Sequence, residues 1–332
     1  MIVGTEIRLA ARPLGAPRVS DFEVATTPVR EPADGEILVK NLLLSVDPAL
    51  RPRMNDSSPY AGAIAIGEAI PAPAIGIVLQ SKSSRFREGD HVFGMFGWRS
   101  HAVAAAEQAR RIDPSLAPLP KWMSLLGLSS FAAYVGICII AKPLAGETVV
   151  VSAAAGATGA VAGQLARIAG ARAVGIAGGA DKCAQVVKRF GLDACVDYKA
   201  PDFEAQLDRA CPGGIDVDFE NVGGRVFDAV FTRMNVGGRI AICGLVSEYS
   251  SAEGFARGPS LWPAVYKSLH IEGYRASRYF DRIPEFIEKA LLWSQAGRLV
   301  QYEHVTEGIA NAPAAFIEML SGKHFGKAMV AA

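Results

Sequence analysis

Cysteine is scarce in this sequence, and its spacing matches neither a disulfide framework nor a common metal site. The five cysteines, an odd number, are Cys138, Cys183, Cys195, Cys211 and Cys243; the first 137 residues contain none, and no Cys-x-x-Cys pair occurs. Small secreted scaffolds and structural zinc sites depend on paired or closely spaced cysteines. We therefore expect no disulfide framework and a reducing, cytoplasmic setting.

An excess of charge of one sign is missing as well. Lys and Arg total 34, and Asp and Glu total 33, which gives a formal net charge of +1. Binding to nucleic acid would need a clustered basic face, so we expect no such partner. Residues 1–12 also lack a basic segment followed by an apolar run, the pattern of a secretory signal, so export is not expected.

One long uncharged run, residues 122–141, has about the length of a membrane span. Its serines and glycines dilute its hydrophobicity. We interpret it as a buried helix between two domains, with a true span as the alternative, and we predict no membrane partner.

The 332 residues, 50% of them hydrophobic, are enough for two domains. Residues 36–45, 74–79 and 91–96 carry β-branched and apolar runs bounded by turn residues, and prolines are frequent up to Pro120. This composition predicts a compact, mostly β domain at the start of the chain.

After Pro143, short buried runs alternate with amphipathic segments. The predicted strands are 148–152, 173–177, 194–197, 216–219, 239–243 and 270–274. The predicted helices are 156–169, 181–190, 202–210, 226–234 and 283–295, and the tail adds a helix at 313–320 and a strand at 327–330. Such alternation predicts βαβ units around a parallel sheet.

The strongest local signal is residues 149–163, VVVSAAAGATGAVAG, where a predicted strand leads into a predicted helix. Gly156 allows a sharp turn, Gly159 a close approach to a pyrophosphate, and Gly163 tight packing of helix on strand. Ala154 stands where the usual motif has its first glycine. In this context the motif predicts a dinucleotide-binding site, although small residues also serve tight packing alone.

The end of the second strand of the parallel sheet separates NAD from NADP. An NAD enzyme places an acidic residue there for the ribose hydroxyls. Here the strand ends in Ala177-Gly178-Gly179, and Lys182 follows in the next helix. A lysine at this point favours the extra phosphate of NADP(H); the alternative is a surface lysine, with Asp181 binding the ribose.

Further polar candidates follow the later strands. Asn221 comes after the fourth strand of the sheet and Cys243-Gly244-Leu245 after the fifth, at the edge where such sheets bind ligands. Asn221 is equally consistent with a turn residue. His91 and His101 have no partner at metal-ligand spacing, so no metal site is predicted.

Without a metal, a polar side chain must stabilise charge that develops on a substrate. A tyrosine hydroxyl can donate at neutral pH, because its unperturbed pKa is ~10. Tyr60, Tyr198, Tyr249 and Tyr274 are candidates. The residues alone favour none of them over an ordinary packing role.

Together these motifs resemble the zinc-independent medium-chain reductases, the family of prostaglandin (leukotriene) reductases, plant double-bond reductases and curcumin reductase. The resemblance spans nearly the whole chain. Its most specific segments are 46–54 (VDPALRPRM), 96–98 (FGW), 153–159 (AAAGATG), 220–224 (ENVGG), 239–244 (RIAICG), 313–320 and Gly326-Lys327.

The resemblance implies an α/β fold with a GroES-like, mostly β domain and a Rossmann domain containing a doubly wound parallel sheet. It implies a substrate domain at 1–120, an NADP-binding domain at 121–302, and a return of residues 303–332 to the first domain. It also implies a homodimer.

The family's cofactor contacts transfer residue by residue. The pyrophosphate loop corresponds to Gly156, Ala157, Thr158 and Gly159. Lys182 corresponds to the lysine that contacts the NADP phosphate, and the remaining contacts are Tyr198, Asn221, Cys243, Gly244, Leu245, Val246, Ser247, Tyr249, Tyr274, Arg275, Ala276 and His324. Tyr249 is the implied catalytic residue, orienting or protonating the substrate.

The implied reaction is conjugate reduction of an α,β-unsaturated ketone or aldehyde, with hydride passing from NADPH to the β-carbon. Charge moves to the carbonyl oxygen, where Tyr249 or a ribose hydroxyl stabilises it. Quinone reduction and a non-catalytic NADPH-binding role are the alternatives.

The sequence departs from the family at a few positions. Ala49, Leu50 and Pro52 stand where Tyr, Met and Gly are usual, beside the substrate mouth. Ala132 stands for a usual Thr and His324 for a usual Asn.

Overall fold

The computed structural model describes residues 2–56, 62–250 and 258–332. It divides the chain into two compact units. The first contains Met1–Met123 and Glu303–Ala332, and the second is Ser124–Tyr302.

The secondary structure of the described residues is numbered here in chain order. The strands are β1 (Ile2–Leu9), β2 (Phe22–Val29), β3 (Glu36–Ser45), β4 (Ala74–Ser81), β5 (His91–Gly94), β6 (His101–Ala105), β7 (Arg110–Arg111), β8 (Thr148–Val151), β9 (Arg172–Ala177), β10 (Ala194–Asp197), β11 (Ile215–Glu220), β12 (Met234–Ile242), β13 (His270–Gly273), β14 (Glu303–Glu307) and β15 (Lys327–Ala331). The helices are α1 (Leu50–Arg53), α2 (Leu119–Met123), α3 (Leu128–Tyr134), α4 (Ala157–Ile168), α5 (Ala180–Phe190), α6 (Phe203–Ala210), α7 (Gly224–Thr232), α8 (Trp262–Tyr266), α9 (Ile283–Gln295) and α10 (Ala312–Leu320).

The first unit is mostly β. Strands β1 and β2 form an antiparallel pair, and a larger sheet has the order β14-β15-β3-β4-β5-β7, with β6 also paired to β3. The core contains Trp98, whose ring lies 5.8 Å from Phe316 and whose Nε1 donates to the Ser45 carbonyl at 2.9 Å. The predicted β domain is confirmed, and β1, β2, β6, β7 and β14 are additions to the predicted strands.

The C-terminal strand belongs to the larger sheet of the first unit. Strand β15 pairs antiparallel with β3. The Lys327 side chain is only 2% exposed, and its Nζ lies 2.5 Å from Asp47 Oδ1 and 3.2 Å from the Val46 carbonyl. A buried ammonium needs such partners, because an uncompensated buried charge costs several kcal/mol, ~3–5.

The second unit contains a six-stranded sheet of order β10-β9-β8-β11-β12-β13, parallel at every pairing. Counted from β8, this is the order 3-2-1-4-5-6 of dinucleotide-binding folds. The predicted Rossmann sheet is therefore confirmed. Buried valines in β8 explain the central strand, because a parallel sheet is covered on both faces.

Two predicted elements are wrong. Residues 122–141 do not form one helix: α2 ends at Met123, α3 begins after the extended Gly127, and Val135–Ala141 continues as π-helix. Gly136 lies in that π-helix, where a Cβ would overlap the Phe219 ring. No helix among the described residues is long and apolar enough to cross a membrane.

The second error concerns Met234. It was predicted to end a helix at 226–234, but α7 ends at Thr232 and Met234 begins β12. Met234 is 2% exposed and pairs with Ile215 of β11. The apolar spacing around Met234 is compatible with a helix and with a strand. The pairing with β11 stabilises the strand.

Candidate functional site

The second unit's sheet has a switch point between β8 and β11, where the strand order reverses. Ligands of such sheets bind outside the carboxyl ends of the strands at this point. Ser152, directly after β8, accepts a hydrogen bond on Oγ from the Asn221 backbone amide at 2.7 Å. Asn221 Nδ2 donates to the Ser152 carbonyl, also at 2.7 Å. Asn221 therefore bridges the ends of β8 and β11 at the switch point.

The glycine loop lies at this switch point. Ala153 has a left-handed φ of 51°, and Gly156 is the extended N-cap of α4, with φ −86° and ψ 173°. A Cβ on Gly159 would overlap the Ala153 carbonyl, and one on Gly156 would lie 3.3 Å from the same oxygen. The loop thus brings backbone amides at the start of α4 close to any bound group. This geometry fits a pyrophosphate.

The departure at Ala154 has a structural compensation. Its backbone amide donates to the Ile176 carbonyl at 3.0 Å. A Cβ on Gly175 of β9 would lie only 2.7 Å from the Ala154 methyl. The space that the usual first glycine provides is therefore supplied by a glycine on the neighbouring strand, and the loop keeps its shape.

Two lysines, one in α5 and one after β10, lie near the end of β9. Lys182 lies in the first turn of α5, half-buried, and its pKa is lowered by burial and then by the charge of Lys199. A Cβ on Gly178 would lie 2.9 Å from the Tyr198 ring and 3.0 Å from Lys199 Cε. The structure thus brings Tyr198 and Lys199 against Gly178, with Lys182 close enough to Lys199 for their charges to interact. An anion here would relieve the repulsion between the ammonium groups.

Lys199 was missed by the sequence analysis, although it follows Tyr198 at the end of β10. The acidic residue at this tip is Asp197, whose Oδ1 accepts the backbone amides of Gly179 at 2.7 Å and Lys199 at 2.9 Å. Asp197 therefore shapes the turn that carries Lys199. Asp181, the alternative ribose ligand, is exposed on α5.

The segment after β12 runs beside the end of β11. The backbone amides of Cys243, Val246 and Ser247 donate to carbonyls of residues 220–222 at 2.8–2.9 Å. The Ser247 hydroxyl donates to the Val222 carbonyl at 2.6 Å. A Cβ on Gly244 would lie 2.9 Å from the Tyr249 hydroxyl and 3.7 Å from the Asn221 carbonyl. The Tyr249 phenol therefore lies over Gly244, next to Asn221 at the carboxyl edge of the sheet.

The Tyr274 hydroxyl has a different position from the other predicted contacts. It donates to the Ala132 carbonyl of α3 at 2.7 Å and also contacts the Cys243 thiol. Burial raises the pKa of Cys243 to about 11, so this thiol stays protonated at neutral pH. Tyr274 thus links the end of β13 to α3. Arg275 and Ala276 follow at the start of a 3-10 helix.

Two buried acids beneath the site were not predicted as functional. Glu220 Oε1 accepts the backbone amides of Val222 and Gly223, the latter at 2.6 Å. Burial raises the pKa of Glu220, although these hydrogen bonds lower it. Asp218 is completely buried, and burial and the neighbouring Glu220 raise its pKa well above the ordinary value. Neither Asp218 oxygen has a hydrogen-bond partner among the described residues.

The remaining candidates lie in the first unit. Arg51, in the 46–54 motif, is buried and donates to the Gly15 carbonyl at 2.7 Å and to Asn55 Oδ1 at 2.7 Å. It is therefore a structural residue of that unit. Leu50 is buried, Ala49 and Pro52 are half-buried, and His324 follows α10. Tyr60 lies outside the described residues.

The histidines considered for metal binding lie on strands of the first unit. His91 begins β5, and His101 on β6 places Nδ1 3.0 Å from Ser100 Oγ. Burial lowers the pKa of His101, and Lys40 adds to this shift. Within the described ranges no group of three His, Cys, Asp or Glu side chains could hold a metal ion.

Comparison with known proteins agrees with this architecture. The family described as the N-terminal domain of oxidoreductase matches residues 5–112, and that described as zinc-binding dehydrogenase matches residues 157–291. The chain is 38% identical to the NADPH-dependent curcumin reductase of Escherichia coli, over 97% of this chain and 95% of that protein. It is 36% identical to the NADP(+)-dependent 2-alkenal reductase of Nicotiana tabacum, over 95% and 94%.

A solved structure is similar as well. The crystal structure of CurA from Vibrio vulnificus in complex with NADPH superposes with a TM-score of 0.92 at 36% identity, covering 98% of each chain. Likeness of this extent, together with the near full-length relatives, shows that the chain belongs to the medium-chain dehydrogenase/reductase family of prostaglandin, curcumin and alkenal double-bond reductases, as its motifs predicted.

Proposed function

We propose that this protein uses NADPH to reduce the carbon–carbon double bond of α,β-unsaturated ketones or aldehydes. The observation that carries the proposal is the edge of the second unit's sheet, which combines a glycine loop, two lysines and a phenol. Relatives named curcumin reductase and 2-alkenal reductase support the substrate class.

The residues at this edge fit NADP(H) in three places. Backbone amides at the start of α4 suit the pyrophosphate, because a helix N-terminus carries unpaired amides and a partial positive charge. Lys182 and Lys199 suit the phosphate on the adenosine ribose, which NAD lacks. Asn221 and the 243–249 segment border the nicotinamide position. When bound, the cofactor supplies the hydride.

The Tyr249 hydroxyl is the proposed donor to the substrate. The proposal is supported by the phenol's position over Gly244, next to Asn221 at the carboxyl edge of the sheet. As negative charge develops on the carbonyl oxygen, a hydrogen bond from this phenol strengthens, so it stabilises the transition state more than the ground state. Tyr249 or water then protonates the α-carbon.

Tyr249→Phe tests this role, because it keeps the ring and removes only the hydroxyl. In single-turnover reactions the hydride-transfer rate should fall about tenfold to a thousandfold, the scale for one positioned donor or acid. NADPH affinity should stay the same. An unchanged rate with normal cofactor affinity removes Tyr249 from the mechanism and leaves a ribose hydroxyl and solvent as proton sources.

The function itself is tested by NADPH oxidation with matched enones, enals and quinones, with product analysis by mass spectrometry. The expected result is the saturated ketone or aldehyde. Turnover of quinones alone would favour quinone reduction by the same fold. Tight NADPH binding without any turnover would favour a non-catalytic role.

We also propose that the protein is a homodimer in which a second copy covers the edge strand β13. All four residues of β13 are exposed. Apolar side chains of the neighbouring α8 region are exposed too: Leu261 (63%), Trp262 (68%), Val265 (66%) and Tyr266 (57%). An open strand edge beside an apolar patch favours pairing of two identical edges across a twofold axis.

Val265→Glu should therefore give a monomer in light scattering coupled to size-exclusion chromatography. Leu144→Glu is the matched control, because Leu144 is 62% exposed in the same unit but far from β13 in sequence. A monomeric parent protein, or monomers from both variants, contradicts the proposed interface.

A further inference from the structure

Two cysteines that the proposed reaction does not use lie together at the outer edge of the second unit's sheet. Cys183 is in α5, next to Lys182, and Cys195 is on the edge strand β10. The Cys195 thiol is hydrogen-bonded to the Cys183 sulfur. Cys183 Sγ also lies 3.8 Å from the Ala177 carbonyl, at the end of β9.

Both cysteines line the same cavity. It has a volume of about 360 Å³ and lies among α5, β10 and α6, with Asp197, Ala200 and Gln206 also in its wall. Cys183 is buried, whereas Cys195 is partly exposed. A small reagent in the cavity therefore has access to the pair.

The hydrogen bond shifts the pKa values of the two thiols in opposite directions. It lowers the pKa of Cys183 and raises that of Cys195, so Cys183 is the more readily deprotonated of the two thiols. Lys182 favours the Cys183 thiolate, whereas burial and Asp197 oppose it. Thiolate character with a second thiol in contact is typical of cysteines that oxidise reversibly.

We propose that Cys183 and Cys195 form a reversible dithiol–disulfide pair that is oxidised by hydroperoxides and weakens cofactor binding. The Cys183 thiolate attacks the terminal oxygen of the hydroperoxide: an S–O bond forms, the O–O bond breaks, and the departing oxygen takes a proton from solvent and leaves as water or an alcohol. The Cys195 sulfur then attacks Cys183; the S–S bond forms, the S–O bond breaks, and hydroxide leaves with the Cys195 proton as water. An external dithiol restores both thiols.

The effect on the cofactor rests on the proposed function. Lys182 precedes Cys183 in the first turn of α5, and Lys199 follows β10 by two residues. A covalent bond between α5 and β10 therefore constrains the two elements that carry both lysines of the phosphate site. The pair lies beside the adenosine end, so it would change cofactor affinity rather than the chemistry at Tyr249.

The first experiment is independent of the cofactor. The protein is treated with hydrogen peroxide, its remaining thiols are alkylated under denaturing conditions, and its peptides are mapped by mass spectrometry. Two of the five cysteines should be lost to alkylation, with a linked Cys183–Cys195 peptide that disappears after dithiothreitol. Sulfinic acid on one cysteine without a linked peptide overturns the proposal.

Cys195→Ser and Cys211→Ser are the matched variants. In Cys195→Ser, oxidation should stop at the sulfenic acid of Cys183, which dimedone traps. Cys211→Ser, a buried cysteine elsewhere in the unit, should still give the linked peptide. A linked peptide that involves Cys211 or Cys243 instead contradicts the assignment.

The second experiment is an NADPH titration before and after oxidation. Fully linked protein should bind NADPH about tenfold more weakly, the scale of one lost charge-assisted contact, with recovery after reduction. Cys195→Ser should show no disulfide-dependent change. Unchanged affinity in fully linked protein overturns the coupling. A reduced protein that does not bind NADPH at all refutes the proposed function instead, while the peptide map still tests the pair.

Discussion

Lys182 and Lys199, near the end of β9, are the two ammonium groups proposed to bind the phosphate of NADPH. Because Lys199 lowers the pKa of Lys182, the two charges interact even without an anion. Binding a phosphate monoester therefore provides both a new charge-assisted contact and relief of repulsion. NADH, which has no such phosphate, gains neither.

We predict that Lys182→Ala weakens NADPH binding by a few kcal/mol at most, roughly 1–3, and leaves NADH binding almost unchanged. Lys199→Ala should have the same selectivity. Calorimetric titration of both cofactors measures it, with Lys188→Ala, farther along α5, as the control. Equal weakening of NADPH and NADH would show that these lysines do not recognise the phosphate.

Asp218 is the residue whose environment conflicts most with its chemistry. It lies between Val150 and Ile240 in neighbouring strands, and neither of its oxygens has a partner in the described part of the chain. Burial, then repulsion from Glu220, raises its folded pKa above the unfolded value. The folded protein therefore keeps a proton that the unfolded chain releases, and its stability falls as the pH rises above about 4.

We predict that Asp218→Asn becomes more stable relative to the parent as the pH increases. Between pH 4.5 and 6 the difference in unfolding free energy should shift in its favour by up to ~1.4 kcal/mol per pH unit. Urea unfolding at several pH values measures this, and the exposed Asp228→Asn serves as the control. A difference that does not vary with pH means that the Asp218 proton is not retained on folding.

At the scale of elements, the loop requires glycine at position 159 because of a contact with the backbone of Ala153. A Cβ on Gly159 would overlap a carbonyl, whereas a Cβ on Gly163 would meet the Leu192 side chain at 2.8 Å. A side chain can shift by a rotamer change, but a carbonyl moves only with its loop. The two glycines therefore serve different purposes in one helix.

We predict that Gly159→Ala lowers NADPH affinity by at least about tenfold and destabilises the unit by ~1–3 kcal/mol. Gly163→Ala should cost stability without a loss of affinity beyond that expected from unfolding. Thermal unfolding and cofactor titration of both variants make the comparison. Normal NADPH binding by Gly159→Ala would remove the loop from the cofactor site.

The elements of the second unit were predictable because buried runs and amphipathic segments alternate regularly. The π-helix was not, because Gly136 within it packs against Phe219 and Tyr274, which are distant in sequence. Nothing in the local sequence indicates the break at residues 124–127. The site was predictable where a motif is local, as at 156–159. Lys199 and the Tyr274–Ala132 bond depend on strands and helices distant in sequence, so no local pattern indicates them.

At the scale of the whole molecule, the supply of metal ligands is poor. The first 137 residues contain no cysteine, and no cluster of three donor side chains occurs in residues 2–56, 62–250 or 258–332. The match of residues 157–291 to a family described as zinc-binding makes the question worth measuring.

We predict that active protein contains no stoichiometric zinc and that a chelator leaves enone reduction unchanged. Elemental analysis and activity after dialysis against the chelator check this, with a zinc-dependent alcohol dehydrogenase treated in parallel. Activity that the chelator abolishes and added zinc restores would contradict it.

The Lys327–Asp47 pair has a consequence for synthesis on the ribosome. Strand β15 and its lysine join a sheet whose strands, apart from β14, were made more than two hundred residues earlier, so β3 lacks this neighbour until residues 327–331 emerge. The whole of Ser124–Tyr302 has then already been translated. The unit encoded in the middle of the chain is thus the first to be complete, and the one that begins the chain is the last. Nascent chains arrested before Glu303 should therefore resist protease in the middle unit and be cleaved within residues 1–123.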